Sequence, residues 1–407
     1  GVIVQYGGQT PLKLARALEE AGVPIWGTPA AAIHEAEDRD AFHALCERLG
    51  VPQPKGGVAT EPEDAIKLAE IIGYPVMVRP SYVLGGRAMR VVRSRAELDE
   101  YLDVVYAELP DNPSILIDDF IEGAIEVDVD ALCDGEVTVV AGIMEHIELA
   151  GVHSGDSATI TPPVHLSDNA VSTIREYTVK LAEAIGVRGL INVQYVVRGD
   201  EVLVVEANPR ASRTVPYLSK AVDHPLAKYA ALIAAGRTLH EIGFTKTPTP
   251  KVYSVKEVVL PFLKFGGVLP VLGPEMRSTG ETMGIDEDPF LAYYKAAVAA
   301  GQRFPLPGKD AAVRLIGEPL EELAPDLVAL GFTVLRGPVA SAEPDYDLLF
   351  DVTHTRELRR ALENGVPYCT TLEGARWTVR ALTARAAAEP RVYALQDLQA
   401  QAANAAD

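Results

Sequence analysis

Residues 190–208 read LINVQYVVRGDEVLVVEAN, and the reading of this stretch decides the fold. Two apolar runs flank Arg198-Gly199-Asp200-Glu201, so the chain is expected to double back there as a β-hairpin. Gln194 and Glu206 are twelve residues apart, and a loop with an odd residue count centred on Asp200 sets them opposite each other. Asn208 lies two residues beyond Glu206 and shares its face in an extended strand. Two amide oxygens and one carboxylate then meet on one patch. Such a set suits Mg2+, which takes hard oxygen ligands with few carboxylates. The plainer alternative is a solvated polar face of a hairpin. Directly after it stand Arg210 and Arg213, either surface arginines or a pair suited to a planar oxyanion or a transferring phosphate.

Working outward, strands and helices alternate in three styles. Val2–Gln5 and the run 23–27 are expected as parallel strands around one helix, capped by Thr10 with Pro11 in its first turn. That helix is expected to run unbroken to Gly22. Helices are expected over 38–50, 61–73, 96–109 and 169–186. Between them PVMVRP (75–80) and MRVVRS (89–94) read as strands joined by a loop holding Gly85 and Gly86. A glycine loop between antiparallel strands either folds over a triphosphate or is a plain turn. It is not the GxxxxGK[ST] phosphate loop. Period-two alternation is read over 115–148, with a tight turn at Cys133-Asp134-Gly135-Glu136. Asp119, Ile121 and Glu126 fall near a strand edge where a backbone could pair an adenine and a carboxylate could accept ribose hydroxyls. Gly151, Val152, His153 and Ser154 open a polar loop, GVHSGDS, which reads as a phosphate or ribose contact or as a capped turn. From about residue 308 short strands (AAVRLIG, FTVLRG, YDLLFDV, VPYCTT, RVYALQD) return with helices between them. This is a separate small parallel α/β domain.

Composition narrows the function. With 407 residues, two to four domains are expected. Lys plus Arg total 37 against 57 Asp plus Glu, a net charge of −20. So acidic a chain repels phosphate backbones and anionic lipid, and neither nucleic acid nor a membrane is expected as a partner. No apolar run approaches the ~18 residues of a membrane span, and no signal peptide is visible. Cys46, Cys133 and Cys369 are scattered and odd in number, so no disulfide framework is expected, and a cytoplasmic location fits. No nucleophile elbow precedes a helix, and the histidines show no metal-ligand spacing.

The order of these features resembles the ATP-grasp fold. More specifically, VIVQYGGQTPLKLARALEEAGVP (2–24), VRPSYVLGGRAM (78–89), EVDVDALCDGE (126–136), IMEHIE (143–148), AGVHSGDSA (150–158), EANPRASRTVP (206–216), YSVKEVVLPF (253–262) and LGPEMRSTGE (272–281) resemble the carbamoyl-phosphate-forming half of carbamoyl-phosphate synthetase large chains. The resemblance implies an α/β and α+β multidomain chain. Its parts are a truncated parallel α/β pre-ATP-grasp unit over 1–38, an ATP-grasp domain over 39–245, its tail and linker over 246–307, and a small doubly wound methylglyoxal-synthase-like regulatory domain over 308–407. YCTTLEGA (368–375) and THTRELRRALENG (353–365) carry the last assignment. That domain is shortened between YDLLFDV and VPYCTT and lacks a threonine-rich loop at GFTVLRGP, which weighs against nucleotide regulation.

For the site, the resemblance implies that Arg39 and Arg79 contact ATP phosphates and that Gly85 and Gly86 belong to the covering loop. It places Asp119, Ile121 and Glu126 at the adenosine, and Gly151, Val152, His153 and Ser154 in a nucleotide-side loop. Gln194, Glu206 and Asn208 would hold two divalent cations, Mg2+ or Mn2+, with K+ as a further ion. Arg210, Arg213 and Asn208 would be the catalytic residues, the two arginines at the carbamate and the transferring phosphate. Glu148, Asp156, Glu257, Thr370 and Thr371 match positions near an ornithine effector site. The implied reaction is carbamate plus ATP giving carbamoyl phosphate plus ADP, feeding pyrimidine and arginine biosynthesis. The implied partners are a glutaminase small chain and a bicarbonate-activating half. Because the chain opens mid-strand, a fragment or split-gene chain is expected. Two alternatives are another ATP-grasp carboxylate ligase and a nucleotide-binding regulatory chain without turnover.

Overall fold

Asp38 and Ser167 set two helices by the same device. Asp38 accepts from the Ala41 N–H and starts α4 (Arg39–Leu49), and Ser167 accepts from the Ala170 N–H and starts α7 (Asp168–Ile185). Gly50 and Gly186 end them in the left-handed region, at φ 65° and 73°. The computed structural model describes residues 1–80, 88–108, 114–308, 310–339 and 343–397. It divides into one unit of residues 1–145 and 161–250 and another of residues 146–160 and 251–407.

In the first unit, α1 (Gln9–Leu12), α2 (Ala15–Glu20) and α3 (Ala30–Glu37) precede α4. Residues 2 and 25 form a single parallel bridge. Thr10 is not the cap. Gly8 holds that position at φ 67°, and no side chain caps the helix. Nor is the helix continuous, because the Leu14 N–H turns to the Pro11 carbonyl in an i→i−3 bond and tightens the chain between α1 and α2.

Strands β1 (Gly56–Ala59), β2 (Val76–Pro80), β3 (Arg90–Val92) and β4 (Ile115–Asp119) form an antiparallel sheet in the order β1-β4-β2-β3. It packs on α5 (Pro62–Ile72) and α6 (Arg95–Glu108) through Ala65, Ala69, Leu98, Tyr101, Leu102 and Val105. Gly85 and Gly86 lie outside the described residues.

The main sheet of this unit runs β6 (Thr138–Leu149), β5 (Ile125–Asp134), β8 (Arg188–Arg198), β9 (Glu201–Asn208). Val127, Val129, Val193, Tyr195, Val204 and Ala207 point into a core closed by α4 and α7. The expected alternation of β5 is not seen in its burial. Seven consecutive residues from Val127 to Cys133 are buried, because the face opposite the core holds enclosed polar side chains rather than water. The hairpin turn also differs from the expected odd loop. Arg198 pairs with Glu201, leaving two residues, Gly199 (φ 62°) and Asp200. A bulge between Gln194 and Tyr195 of the ladder then adds one residue on the β9 side, and Gln194 still meets Glu206. Helices α8 (Val215–Ala221), α9 (Leu226–Ala234) and α10 (Leu239–Ile242) complete the unit.

The second unit takes the end of β6 and most of β7 (Thr159–Thr161), then β10 (Tyr253–Val259), antiparallel β11 (Gly280–Asp286) and α11 (Pro289–Ala299). It continues through β12 (Ala312–Ile316), α12 (Ala324–Ala329), β13 (Thr333–Arg336), β14 (Leu348–Asp351), α13 (Glu357–Glu363), β15 (Tyr368–Cys369) and α14 (Leu372–Ala387). These four strands are parallel in the order β13-β12-β14-β15. Leu327, Val379 and Leu382 cover one face, and Leu358 and Ala361 the other, so the sheet is doubly wound as expected. RVYALQD is not a strand. Val392 is 98% exposed, so no buried apolar face holds this segment on the sheet edge.

Gly284 of β11 lies against α11. A Cβ there would come 2.0 Å from the Ala292 carbonyl oxygen and 2.5 Å from the Ala296 nitrogen, backbone atoms that cannot swing aside. Gly284→Ala is therefore expected to destabilise by on the order of 2–3 kcal/mol or more. Gly266→Ala, which meets nothing within 4 Å, is expected to be silent. Calorimetric unfolding of the two variants checks this; equal melting temperatures would refute the packing.

Candidate active site

The ladder registers of β5, β8 and β9 align six polar side chains in two rows on one face. Asp128 pairs with Gln194, which pairs with Glu206; Asp130 pairs with Asn192, which pairs with Asn208. Residues two apart on one strand share a face, so the rows lie side by side. Asn208 donates its Nδ2 to Glu206 Oε1 at 2.8 Å and accepts at Oδ1 from Arg210 Nη2 at 3.1 Å. Asn192 Nδ2 reaches Asp130 at 3.0 Å and Asp128 at 3.3 Å. Gln194, Glu206 and Asn208 are thus brought together as expected. Asp128, Asp130 and Asn192 are not found by the spacing of Gln194, Glu206 and Asn208, although the E-V-D-V-D run at 126–130 carries the signal of the two aspartates and Asn192 stands two residues before Gln194. Glu37, at the end of α3, adds a further carboxylate within electrostatic reach of Glu206 and Arg210.

Asp130 is the most enclosed of the six, 1% exposed. Burial pushes its carboxyl up to about 6 and Asp128 adds to the rise, against hydrogen bonds from Thr214, Asn192 and Ser212.

Among the described residues no group of three His, Cys, Asp or Glu side chains forms a metal cage. The amide oxygens of Gln194 and Asn208 are what could complete an oxygen set around Glu206, a donor chemistry that fits a hard divalent cation. Arg210 Nε and Arg79 Nε are buried and make no hydrogen bond among the described residues, so donors at both places suit an anionic ligand. Arg79 lies on β2 opposite Leu116. Arg39 begins α4 but its guanidinium forms an ion pair with Asp118 of β4, which offsets its charge. Asp119 ends β4, Ile121 is buried just beyond it, and Glu126 lies opposite Val196 at the start of β5.

The loop after β6 belongs to the second unit and is stitched internally. Gly151 takes φ 112°, followed by Val152. The His153 N–H donates to the Gly273 carbonyl at 2.8 Å, and the Gly155 N–H donates to His153 Nδ1 at 2.9 Å. That bond assigns the ring proton to Nε2. Ser154 lies between these two anchors. Asp156 accepts from the N–H groups of Arg277 and Ser278, at 2.7 and 2.8 Å.

The same unit holds a second carboxylate pair. Glu148 accepts from Ser157 Oγ and the Ala158 N–H, and burial raises its carboxyl. Burial, then the charge of Glu148, pushes Glu257 up to about 8. Thr371 caps α14, and a Cβ on Gly374 would lie 2.9 Å from its Oγ1 and 4.0 Å from Glu148 Oε1. Thr370 is buried, its carbonyl beside His354 Nε2.

A family model described as "Carbamoyl-phosphate synthase L chain, ATP binding domain" matches residues 38–242. The chain is 60% identical over 398 residues to a carbamoyl phosphate synthase large chain of Thermus thermophilus, covering 98% of this chain and 38% of that protein. It is 44% identical to the "Carbamoyl phosphate synthase large chain, C-terminal section" of Methanocaldococcus jannaschii, covering 99% of this chain and 73% of that one. Among solved structures it resembles a biotin carboxylase from Campylobacter jejuni, with a TM-score of 0.59, 18% identity and 73% coverage of each chain. It also resembles the biotin carboxylase domain of a Hydrogenobacter thermophilus 2-oxoglutarate carboxylase, with a TM-score of 0.57 and 20% identity, covering 71% of this chain and 70% of that one. At such identity these two show the fold alone. No helix among the described residues is long and apolar enough to cross a membrane.

Glu257 supplies a pH test. Its carboxyl ordinarily titrates at 4.5 and is pushed to about 8 when folded, so the folded chain keeps a proton that the unfolded chain releases. This contribution to stability is complete below about 4.5 and is lost as pH rises towards 8. Glu257→Gln should therefore melt like the parent at pH 5 and above it at pH 8.5. Parallel melting curves across that range would count against the assignment.

Proposed function

Because this chain belongs to the family of carbamoyl phosphate synthase large chains, we propose that it phosphorylates carbamate with ATP to give carbamoyl phosphate and ADP. One observation carries the reading: a bulged ladder sets Gln194 across from Glu206 while Arg210, bonded to Asn208, keeps a buried donor for an anion. In this reading Gln194, Glu206 and Asn208 hold two divalent cations, which would supply charge neutralisation for the nucleotide phosphates. Arg210 and Arg213 bind and orient carbamate, so that one of its oxygens faces the terminal phosphorus in line. That oxygen forms the new P–O bond as the bond to the ADP oxygen breaks, and the guanidiniums counter the charge on the moving phosphoryl group. Arg79 and Arg39 serve the phosphate chain and Asp119, Ile121 and Glu126 the adenosine; a nucleotide role for residues 151–154 rests on the family resemblance alone. Carbamate decomposes readily in water, so the proposed step needs exclusion of solvent.

The chain spans 38% of the length of the Thermus relative. The complete reaction, from bicarbonate, glutamine-derived ammonia and two ATP, is proposed to need a bicarbonate-activating half and a glutaminase small chain. The proposed domain limits are 1–38, 39–245, 246–307 and 308–407, with a methylglyoxal-synthase-like fold for the last; the family match over 38–242 supports the second, and the doubly wound parallel sheet supports an α/β fold for the last. The acidic pair Glu148 and Glu257 supports a cationic effector such as ornithine.

The test is ATP formation from ADP and carbamoyl phosphate by the full chain with Mg2+. Activity is expected to require the metal and to be lost in EDTA. Glu206→Gln is expected to lower the rate by ~10²-fold or more, as for other charge-stabilising groups. Nucleotide binding without any phosphoryl transfer would overturn the reading, and an undiminished Glu206→Gln rate would overturn the metal assignment.

A further inference from the structure

The segment that follows β9, Pro209–Thr214, is tied down at four of its six positions. Gln5 Nε2 donates to the Pro209 carbonyl at 2.9 Å, and the Ala211 N–H donates to the Gln5 carbonyl at 2.9 Å. Gln5 is itself 4% exposed and held by Thr28, which donates its N–H to Gln5 Oε1 and accepts at Oγ1 from Gln5 Nε2. On the other side, Ser212 Oγ lies 2.8 Å and Thr214 Oγ1 2.7 Å from the two oxygens of Asp130. The two hydroxyls are 2.7 Å apart, and Asn192 completes the carboxylate's partners. Between these anchors stand the two arginines, 210 and 213, and Arg210 is itself bonded to Asn208 through its N–H and Nη2 and to the Ala211 carbonyl through Nη1.

We infer that Asp130, with Gln5 as the second arm, is a positioning residue: it clamps Ser212 and Thr214 so that Arg210 and Arg213 are held in one geometry towards the acceptor and the transferring phosphate. The inference rests on the carbamate-kinase reading above for its function, and on the hydrogen bonds alone for its mechanics. Neither Asp130 nor Gln5 needs to touch substrate. A purely structural role does not account for the arrangement. A buried carboxylate with three donors costs desolvation that an apolar side chain opposite alanine and valine would avoid. The polar set is placed instead under the one loop that carries both guanidiniums. Positional errors near 1 Å at such groups cost on the order of 10²-fold in rate, so a rigid loop has a direct kinetic effect.

Asp130→Ala alone leaves buried donors unpaired and could fail to fold. The decisive variant is therefore Asp130→Ala with Ser212→Ala and Thr214→Val, which removes acceptor and donors together. Three readouts on the full chain are compared with the parent: the melting temperature, the Kd for ADP with kcat for ATP formation, and amide hydrogen exchange over 208–214. The expected result is a melting temperature close to the parent's, a Kd for ADP changed less than about threefold and a kcat lowered ~10²-fold, with faster exchange confined to 208–214. Asp130→Asn, whose amide can pair with hydroxyls that also accept, is expected to recover kcat to within about tenfold. Unchanged exchange overturns the clamp. A kcat within about threefold of the parent, or a loss of ADP affinity as large as the loss of kcat, overturns the positioning role. If the parent itself transfers no phosphoryl group, the functional reading fails, and exchange over 208–214 still decides the clamp.

Discussion

One extra residue in β9 reconciles the core with the site. Below the bulge Tyr195 pairs with Val204 and Val197 with Val202, all on the apolar face. Continued without interruption, that register would set Gln194 against Val205 and Val193 against Glu206, driving a carboxylate into the core. A one-residue slip exchanges the two faces of a strand. With the bulge, Val205 is left 41% exposed, Ala207 returns to the core opposite Val193, and Glu206 and Asn208 rejoin the polar rows. The metal-binding reading, the placement of Arg210 through Asn208 and the path of the loop to Thr214 all depend on this local shift.

The polar rows have a characteristic electrostatic cost. Asp128, Asp130 and Glu206 gather three carboxylates on one sheet face, and the first two are almost fully buried. Charge enclosed in this way persists only when donors or cations face it. Asp130 meets that need locally through hydroxyl and amide donors, whereas Glu206 meets it in part, through Asn208. The remaining demand is for positive charge, which Arg210 and, in the proposed reading, a divalent cation would supply. In that reading a chain of net charge −20 would handle an anionic substrate through a few arginines placed against an acidic floor rather than through a basic surface.

Much of this was legible in local sequence because its causes are local. Asp38 and Ser167 cap helices within three residues, Gly199-Asp200 turns a hairpin, and the apolar runs after 308 give the parallel sheet. The bulge was not legible, since Val204 and Val205 are the same residue type and nothing in their order says which one is extra. The facing of Gln194 and Glu206 was anticipated through an odd loop and arises from an even turn plus the bulge. The Arg39–Asp118 pair joins residues 79 apart and depends on tertiary packing, as does the tie from Gln5 to Pro209 across 204 residues. Asp128 and Asp130 are a different case. Their spacing carried the information, but a carboxylate on a strand reads as solvent-facing until the neighbouring strands are known to cover it.

Two carboxyl environments in this chain resolve in opposite ways. Asp130 is pushed only to about 6, because hydroxyl and amide donors oppose the effect of burial. Those donors favour its ionised form, which accepts from all three. Glu257 faces Glu148, gains one backbone N–H and some relief from Lys256, and rises to about 8. Desolvation first, and then the charge of Glu148, favour the protonated form. A cation placed beside Glu148 and Glu257 would compete with that proton, so occupancy and protonation there are linked and opposed. Donor supply, rather than depth of burial, separates a rigid structural anion from a carboxyl whose charge depends on what is bound.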